Sequence, residues 1–183
     1  MEPTIQKFQN KYRIPSARAN WHDYNGGTYF ITICTKNREH FFGEIDNGEM
    51  VLSEIGKYVD ICIKNIETLH ENVYVPIYQI MPDHIHLIII MDNPVETPHC
   101  DVSTNGTKNV QMQNIANKCG KLSHIISRFK FVVTRFARAT QSYFAWQTRY
   151  YDRIIRNQYE MNCVAGYIEH NVAKWNEGCE VDY

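Results

Sequence analysis

Apolar and polar positions along the chain change period several times, and each change marks an element. Thr28-Tyr29-Phe30-Ile31-Thr32-Ile33-Cys34-Thr35 follows Gly26-Gly27 and is rich in aromatic and β-branched residues, which predicts a first strand. Glu44 to Glu49, with Asp46-Asn47-Gly48 inside it, reads as a turn between short extended pieces. Ser53 stands where a helix cap is expected. After it Ile55, Val59, Cys62, Ile63, Ile66 and Leu69 recur at helical spacing, and Asn72 ends the helix. Val73 to Ile80 predicts a second strand, with Pro76 marking an edge or a bulge. Pro82-Asp83 then makes a tight, hairpin-like connection into a run that is apolar from Ile85 to Met91.

The pattern then lapses. Asp92 to Gln113 is polar, carries Asn-Pro and Thr-Pro steps, and predicts a long mobile loop. It divides the sequence without dividing domains, so one domain over residues 1–183 is expected. Asn114 to Ala139 predicts a long helix. Leu122, Ile126, Phe129, Val133 and Phe136 form its apolar stripe, while Lys121, Arg128 and Arg135, spaced by seven, form a cationic one. Ala145 to Ile155 reads as a further strand. Gln158 to Trp175 reads as a last helix, with Met161, Ala165, Ile168 and Val172 facing the core.

Composition narrows the class. A chain of 183 residues, 44% of them hydrophobic, can bury a core and is not broadly disordered. The longest apolar run is too short to span a bilayer, and Met1 to Arg18 has no apolar signal region, so no membrane partner and a cytoplasmic location are expected. The six cysteines form no C-x-x-C pair, which argues against a zinc knuckle or redox motif. They read as reduced, mostly buried thiols. The net charge of −1 says little, but its distribution says more. From Lys118 to Arg156 the basic residues, Arg149 among them, face the single acid Asp152, which predicts a polyanion-binding surface.

The chemistry concentrates in Met81-Pro82-Asp83-His84-Ile85-His86-Leu87. Residues two apart on a strand share a face, so His84 and His86 point the same way. Two neighbouring imidazoles on a rigid strand are half of a metal site. On the last helix Tyr167 and Asn171 are four apart and share a face beside the core stripe. If that helix covers the His84–His86 face, two imidazoles and the Asn171 amide converge as a mixed N/O set suited to Mg²⁺ or Mn²⁺. Tyr167 then stands beside the metal as a nucleophile. A phenol ordinarily ionises near pH ~10, and a divalent cation favours its phenolate.

These motifs carry a resemblance. The His84-Ile85-His86 stretch looks like the HUH motif (His, bulky hydrophobe, His) of single-tyrosine transposases. The chain is most similar to the REP-associated tyrosine transposases. It shares with them the glycine-led strand Gly26-Gly27-Thr28-Tyr29-Phe30-Ile31-Thr32. It also shares the run Trp146-Gln147-Thr148-Arg149-Tyr150-Tyr151-Asp152-Arg153-Ile154-Ile155-Arg156-Asn157, and a tyrosine about one helix later with an asparagine four residues on. The resemblance covers roughly Asn20 to Trp175. The family's usual Asn-Pro after the tyrosine is Asn171-Val172 here. The resemblance implies an α+β fold, a ferredoxin-like antiparallel sheet with helices packed on it and the HUH motif on a central strand. It implies Tyr167 as nucleophile, with His84, His86 and Asn171 as metal ligands.

The function so implied is cleavage and rejoining of single-stranded or hairpin DNA through a covalent 5′-phosphotyrosine. Lys121, Arg128, Arg135 and Arg149 are candidate contacts to the DNA backbone, and Trp146 and Tyr151 candidate stacking surfaces. Rival readings are a non-catalytic, domesticated hairpin-DNA-binding protein and a metal-dependent hydrolase that attacks with water. Monomer and homodimer both remain open.

Overall fold

Four strands rich in β-branched and aromatic residues build one antiparallel sheet whose two faces bury different things. The structure, a computed structural model, describes residues 24–92, 110–140 and 143–175, with the side chains of 110–119 outside that description. Strands β1 (Gly27–Cys34), β4 (Val73–Ile80), β5 (His84–Met91) and β6 (Tyr151–Ile155) pair in the order β4-β5-β1-β6. A separate hairpin, β2 (Gly43–Asp46) and β3 (Glu49–Leu52), precedes helix α1 (Glu54–Leu69). Helix α2 (Val110–Thr140) links β5 to β6, and α3 (Gln158–Lys174) ends the described chain. Omitting the small hairpin and α3, the order is βαββαβ with the first strand inside the sheet, as the ferredoxin-like expectation requires.

The odd-numbered residues of β1 and β5 make the main core. Tyr29, Ile31, Ile33, Ile85, Leu87 and Ile89 are fully buried against Ile55, Val59 and Ile63 of α1 and Leu122, Ile126 and Val133 of α2. The opposite face carries Phe30, Ile88 and Ile155, which pack with Ile168 of α3 and with Met161, Val164, Ala165 and Tyr167 around it. Thus α1 and α2 cover one face and α3 the other. The expected core stripe of α3 is present, but Ile168 alone is fully buried.

Local signals explain most boundaries. Ser53 caps α1, its hydroxyl accepting from Gly56 N–H at 3.0 Å. The Pro76 expectation is met twice, because β4 is an edge strand and its pairing with β5 shifts between Tyr74 and Ile77. The N–H of Met81 donates to His84 C=O at 2.8 Å, closing the loop on Pro82-Asp83.

Three expectations need correction. The α2 helix starts at Val110 rather than Asn114 and is broken at Gly120 (φ 69, ψ 153), where Tyr24 packs so closely that a Cβ would lie 2.8 Å from its Cβ. The strand expected from Ala145 is only Tyr151–Ile155, because Trp146 forms an isolated bridge to Thr35 and then serves the core. The thiols are not mostly buried among those described, Cys163 being exposed and Cys34 and Cys62 partly so. Of the expected mobile loop, residues 93–109 lie outside the described residues. Among the described residues, no helix is long and apolar enough to cross a membrane.

Two glycines are expected to respond in opposite directions to alanine. At Gly43 (φ +140) a Cβ would sit 2.0 Å from Val51 C=O, so Gly43→Ala should destabilise by at least about 2 kcal/mol. Gly166 lies within α3 with open space around it, so Gly166→Ala should stabilise by about 0.5–1 kcal/mol. Thermal or urea unfolding of the two variants checks both signs.

Candidate active site

The β1–β5 register builds the site before any helix reaches it. His86 lies opposite Thr32 and His84 opposite Cys34, on the face that α3 covers. Gln79 of β4 and Tyr151 of β6 extend the His86 row across all four strands. Among the described residues, the buried polar ones are Thr35, Asp83, His84 and His86, and all four meet here. The turn before β5 is pinned by the exit of β1. Both the N–H and the hydroxyl of Thr35 donate to Asp83 C=O at 2.9 Å, and Phe42 N–H donates to Pro82 C=O at 3.0 Å.

Each histidine has one nitrogen engaged by its own neighbourhood. His84 Nδ1 is 2.5 Å from Asp83 Oδ1. A carboxylate only accepts, so that nitrogen carries the proton and Nε2 keeps its lone pair as an acceptor. His86 Nδ1 is 2.9 Å from the Thr32 hydroxyl, and its Nε2 is 3.3 Å from the Tyr167 hydroxyl. A protonated phenol donates, which makes Nε2 the acceptor and places the imidazole proton on Nδ1, facing Thr32. The two imidazole centroids are 4.5 Å apart, and Phe30 stacks on His86 at 5.2 Å. Phe30 also meets the Tyr167 ring edge-on at 6.1 Å. The phenol is therefore held by ring packing below and a hydrogen bond at its tip.

Electrostatics keep the site's charges in order. Burial, then the neighbouring His84 and Arg38, push His86 down to about 2, so it is a neutral imidazole and a poor proton store. Burial opposes ionisation of Asp83, but the His84 hydrogen bond and the nearby Arg38 and His40 prevail, and its carboxyl is held below the usual range.

The donor set fits a divalent ion in part. Among the described residues no three His, Cys, Asp or Glu side chains group to hold a metal, so two imidazoles need an oxygen from elsewhere. Asn171 supplies a matching irregularity. Its Nδ2 is, among the described residues, the buried side-chain N or O atom left without a hydrogen-bond partner. An amide turned end for end puts its oxygen there, and that is a donor Mg²⁺ or Mn²⁺ accepts.

The other predicted contacts are scattered. Lys121, Arg128 and Arg135 lie on α2, across the sheet from Tyr167, with Lys121 Nζ bonded to Glu71 C=O at 2.8 Å. Trp146 is a packing residue rather than a stacking platform. Its ring meets Phe42 and Phe144, and its N–H reaches Lys130 C=O and the Thr134 hydroxyl at 3.2 and 3.1 Å. Tyr151 is 49% exposed and shares the His86 face, whereas Arg149 is exposed just before β6. Thr32 and Asp83 were missed in the sequence. Pairing β1 with β5 would have found Thr32, and the carboxylate immediately before His84 was itself a signal.

The burial of neutral His86 has a pH consequence. Above about pH 6.5 folded and unfolded forms are both neutral at this group, and it contributes nothing. Below that, the unfolded chain takes up a proton that the folded chain refuses. Stability of the metal-free protein should fall by about 1.4 kcal/mol per pH unit from about pH 6.5 toward pH 4. His86→Gln should flatten that slope, as read from urea unfolding at several pH values.

No family model matches the chain. An uncharacterized protein of Haemophilus influenzae is 34% identical over 170 residues, covering 88% of this chain and 89% of that protein. A structure of a REP-associated tyrosine transposase bound to a REP hairpin superposes with a TM-score of 0.50 at 16% identity, covering 88% of this chain and 74% of its own. The chain thus belongs to one family with the Haemophilus influenzae protein, and its fold is that of the solved REP-associated tyrosine transposase.

Proposed function

We propose that this protein cleaves and rejoins single-stranded DNA at hairpin-associated sites, with Tyr167 as the nucleophile. The observation that carries this reading is the Tyr167 hydroxyl at 3.3 Å from Nε2 of a buried, neutral histidine that is paired with a second histidine on the same strand. The hairpin in the solved transposase supports the choice of substrate.

In the forward step the Tyr167 oxygen forms a bond to phosphorus while the bond from phosphorus to the 3′ oxygen breaks. The departing oxygen gains a proton and becomes a free 3′-hydroxyl, the phenol's proton passes to solvent, and the 5′-phosphate stays on Tyr167. The phosphodiester's energy is retained in the new ester, so attack by another 3′-hydroxyl rejoins DNA without ATP. The neutral state of His86 means that it orients the phenol and does not keep its proton. Thr32 holds the His86 ring and Asp83 holds the His84 ring, each at Nδ1, so each Nε2 keeps one lone pair; that of His86 accepts from the phenol, and an ion bound there would take the phenol's place on it. A divalent ion bound by His84, His86 and Asn171 would supply Lewis-acid polarisation of a phosphate oxygen.

Incubation of the full chain with a library of labelled single-stranded hairpins and Mn²⁺ should yield an SDS-resistant protein–DNA adduct. EDTA should abolish it and added Mn²⁺ should restore it. Tyr167→Phe should remove both adduct and cleavage while leaving DNA binding within about twofold, since one hydroxyl is lost. Cleavage that survives Tyr167→Phe without an adduct would establish the water-attacking hydrolase instead. Binding without cleavage in the wild type under any metal would establish a non-catalytic hairpin binder.

A further inference from the structure

The last helix brings a further side chain to the site. Tyr167, Asn171 and Trp175 follow one another at intervals of four, and Trp175 keeps helical angles (φ −54, ψ −41) as it ends α3. The three therefore form one row along the helix. The two histidines form the facing row on β5. Tyr167 stands over His86 with ring centroids 5.3 Å apart, and Trp175 stands over His84 at 5.9 Å, its plane tilted by 33° from the imidazole. The indole also meets the ring of His40, in the segment after β1, at 5.9 Å.

The surroundings of this indole differ from those of Trp146. Trp146 packs on the main apolar cluster, and its N–H is hydrogen bonded to Lys130 and Thr134. Trp175 is half-buried and, among the described residues, belongs to neither apolar cluster. The rings it meets are two imidazoles, and His40 is itself exposed. A large aromatic ring thus stands at the rim of the site, aligned with the Tyr167 phenol and set against polar rings.

The alignment is what points to a ligand. A strand that brings a phosphate to the Tyr167 hydroxyl brings the attached bases with it. Every base has a π-face, and aromatic side chains beside a single strand take up bases whatever their sequence. On α3 the aromatic ring in line with Tyr167, on the His84 side, is Trp175.

We infer that Trp175 is a stacking platform for a base of the single strand, on the His84 side of the phosphate that Tyr167 attacks. The inference rests on the DNA reading above and adds to it a residue that holds a base rather than the backbone.

The test compares (dT)₂₀ with a strand of equal length whose sugars carry no bases, each binding to the full chain in EDTA. Trp175→Ala should weaken (dT)₂₀ binding about tenfold, as loss of one base–aromatic stack does, and leave binding of the baseless strand unchanged. Trp175→Phe, which keeps a ring, should recover most of the loss. An indole that only supports the fold would weaken both strands alike or neither, and either result overturns the inference. A second readout does not depend on the alanine variant. (dT)₂₀, but not the baseless strand, should change the tryptophan emission of the wild type, and Trp175→Phe should lose that change. Emission that (dT)₂₀ leaves unaltered also overturns the inference. The hairpin adduct assay separates the two readings. Adduct formation by the wild type with no base-dependent loss in Trp175→Ala defeats the Trp175 inference alone. A base-dependent loss with no adduct in the wild type defeats the Tyr167 chemistry and leaves Trp175 as a base contact.

Discussion

A buried neutral imidazole, bonded on both sides, ties the sheet to α3. His86 is 5% exposed, and an imidazole so placed is destabilising unless its nitrogens find partners. One partner, Thr32, comes from the neighbouring strand, and the other, Tyr167, from the helix that covers that face. The first depends on register. A slip of one residue between β1 and β5 would put Thr32 out of reach and turn both histidines toward the α1–α2 core. The same pairing that buries Ile31, Ile33 and Leu87 on one face therefore sets the chemistry on the other.

The two faces divide the work. The α1–α2 side carries most of the buried apolar residues, while the α3 side has a small cluster of Phe30, Ile88, Ile155 and Ile168. Few buried contacts mean a lower free energy of local opening, so α3 belongs to the less secured part of the molecule. Tyr167 thus rides on an element whose rearrangement need not disturb the main core. The sheet beneath it, where the two histidines sit, is held on its far side by two helices and does not share that looseness.

Much of this was legible in the sequence because it depends on short-range periodicity. The β-branched and aromatic run of β1, the continuous apolar run of β5, the Ser53 cap, Pro76 at an edge with a shifted register, and the helical spacing of Tyr167 and Asn171 are local signals, and the structure keeps them. What failed depended on partners distant in sequence. Trp146 and its neighbours have the composition of a strand, but the bridge to Thr35 and the pocket of Phe42, Phe129 and Phe144 decide its place. The Gly120 break exists because Tyr24 packs there, nearly a hundred residues away. Lys121, Arg128 and Arg135 recur at helical spacing, and α2 carries all three. Which side of the sheet it faced was a question of topology, and seven-residue spacing carries no information about that.

The two histidines are chemically unequal, and the inequality follows from their partners. His84 faces a buried carboxylate held ionised, which draws on its Nδ1 proton and enriches the opposite nitrogen as a donor. His86 faces a hydroxyl, a weaker acceptor, and lies under Phe30 in a drier setting. Were both backed by carboxylates, the pocket would hold two buried negative charges and repel a phosphate. Were neither backed, both rings would lose a fixed orientation and tautomer. One carboxylate, offset by Arg38 at its other oxygen, fixes the His84 tautomer with a single buried negative charge. The phenol stands against the imidazole that faces a hydroxyl rather than a carboxylate, so its hydrogen bond at 3.3 Å is to a neutral ring without a charged partner behind it.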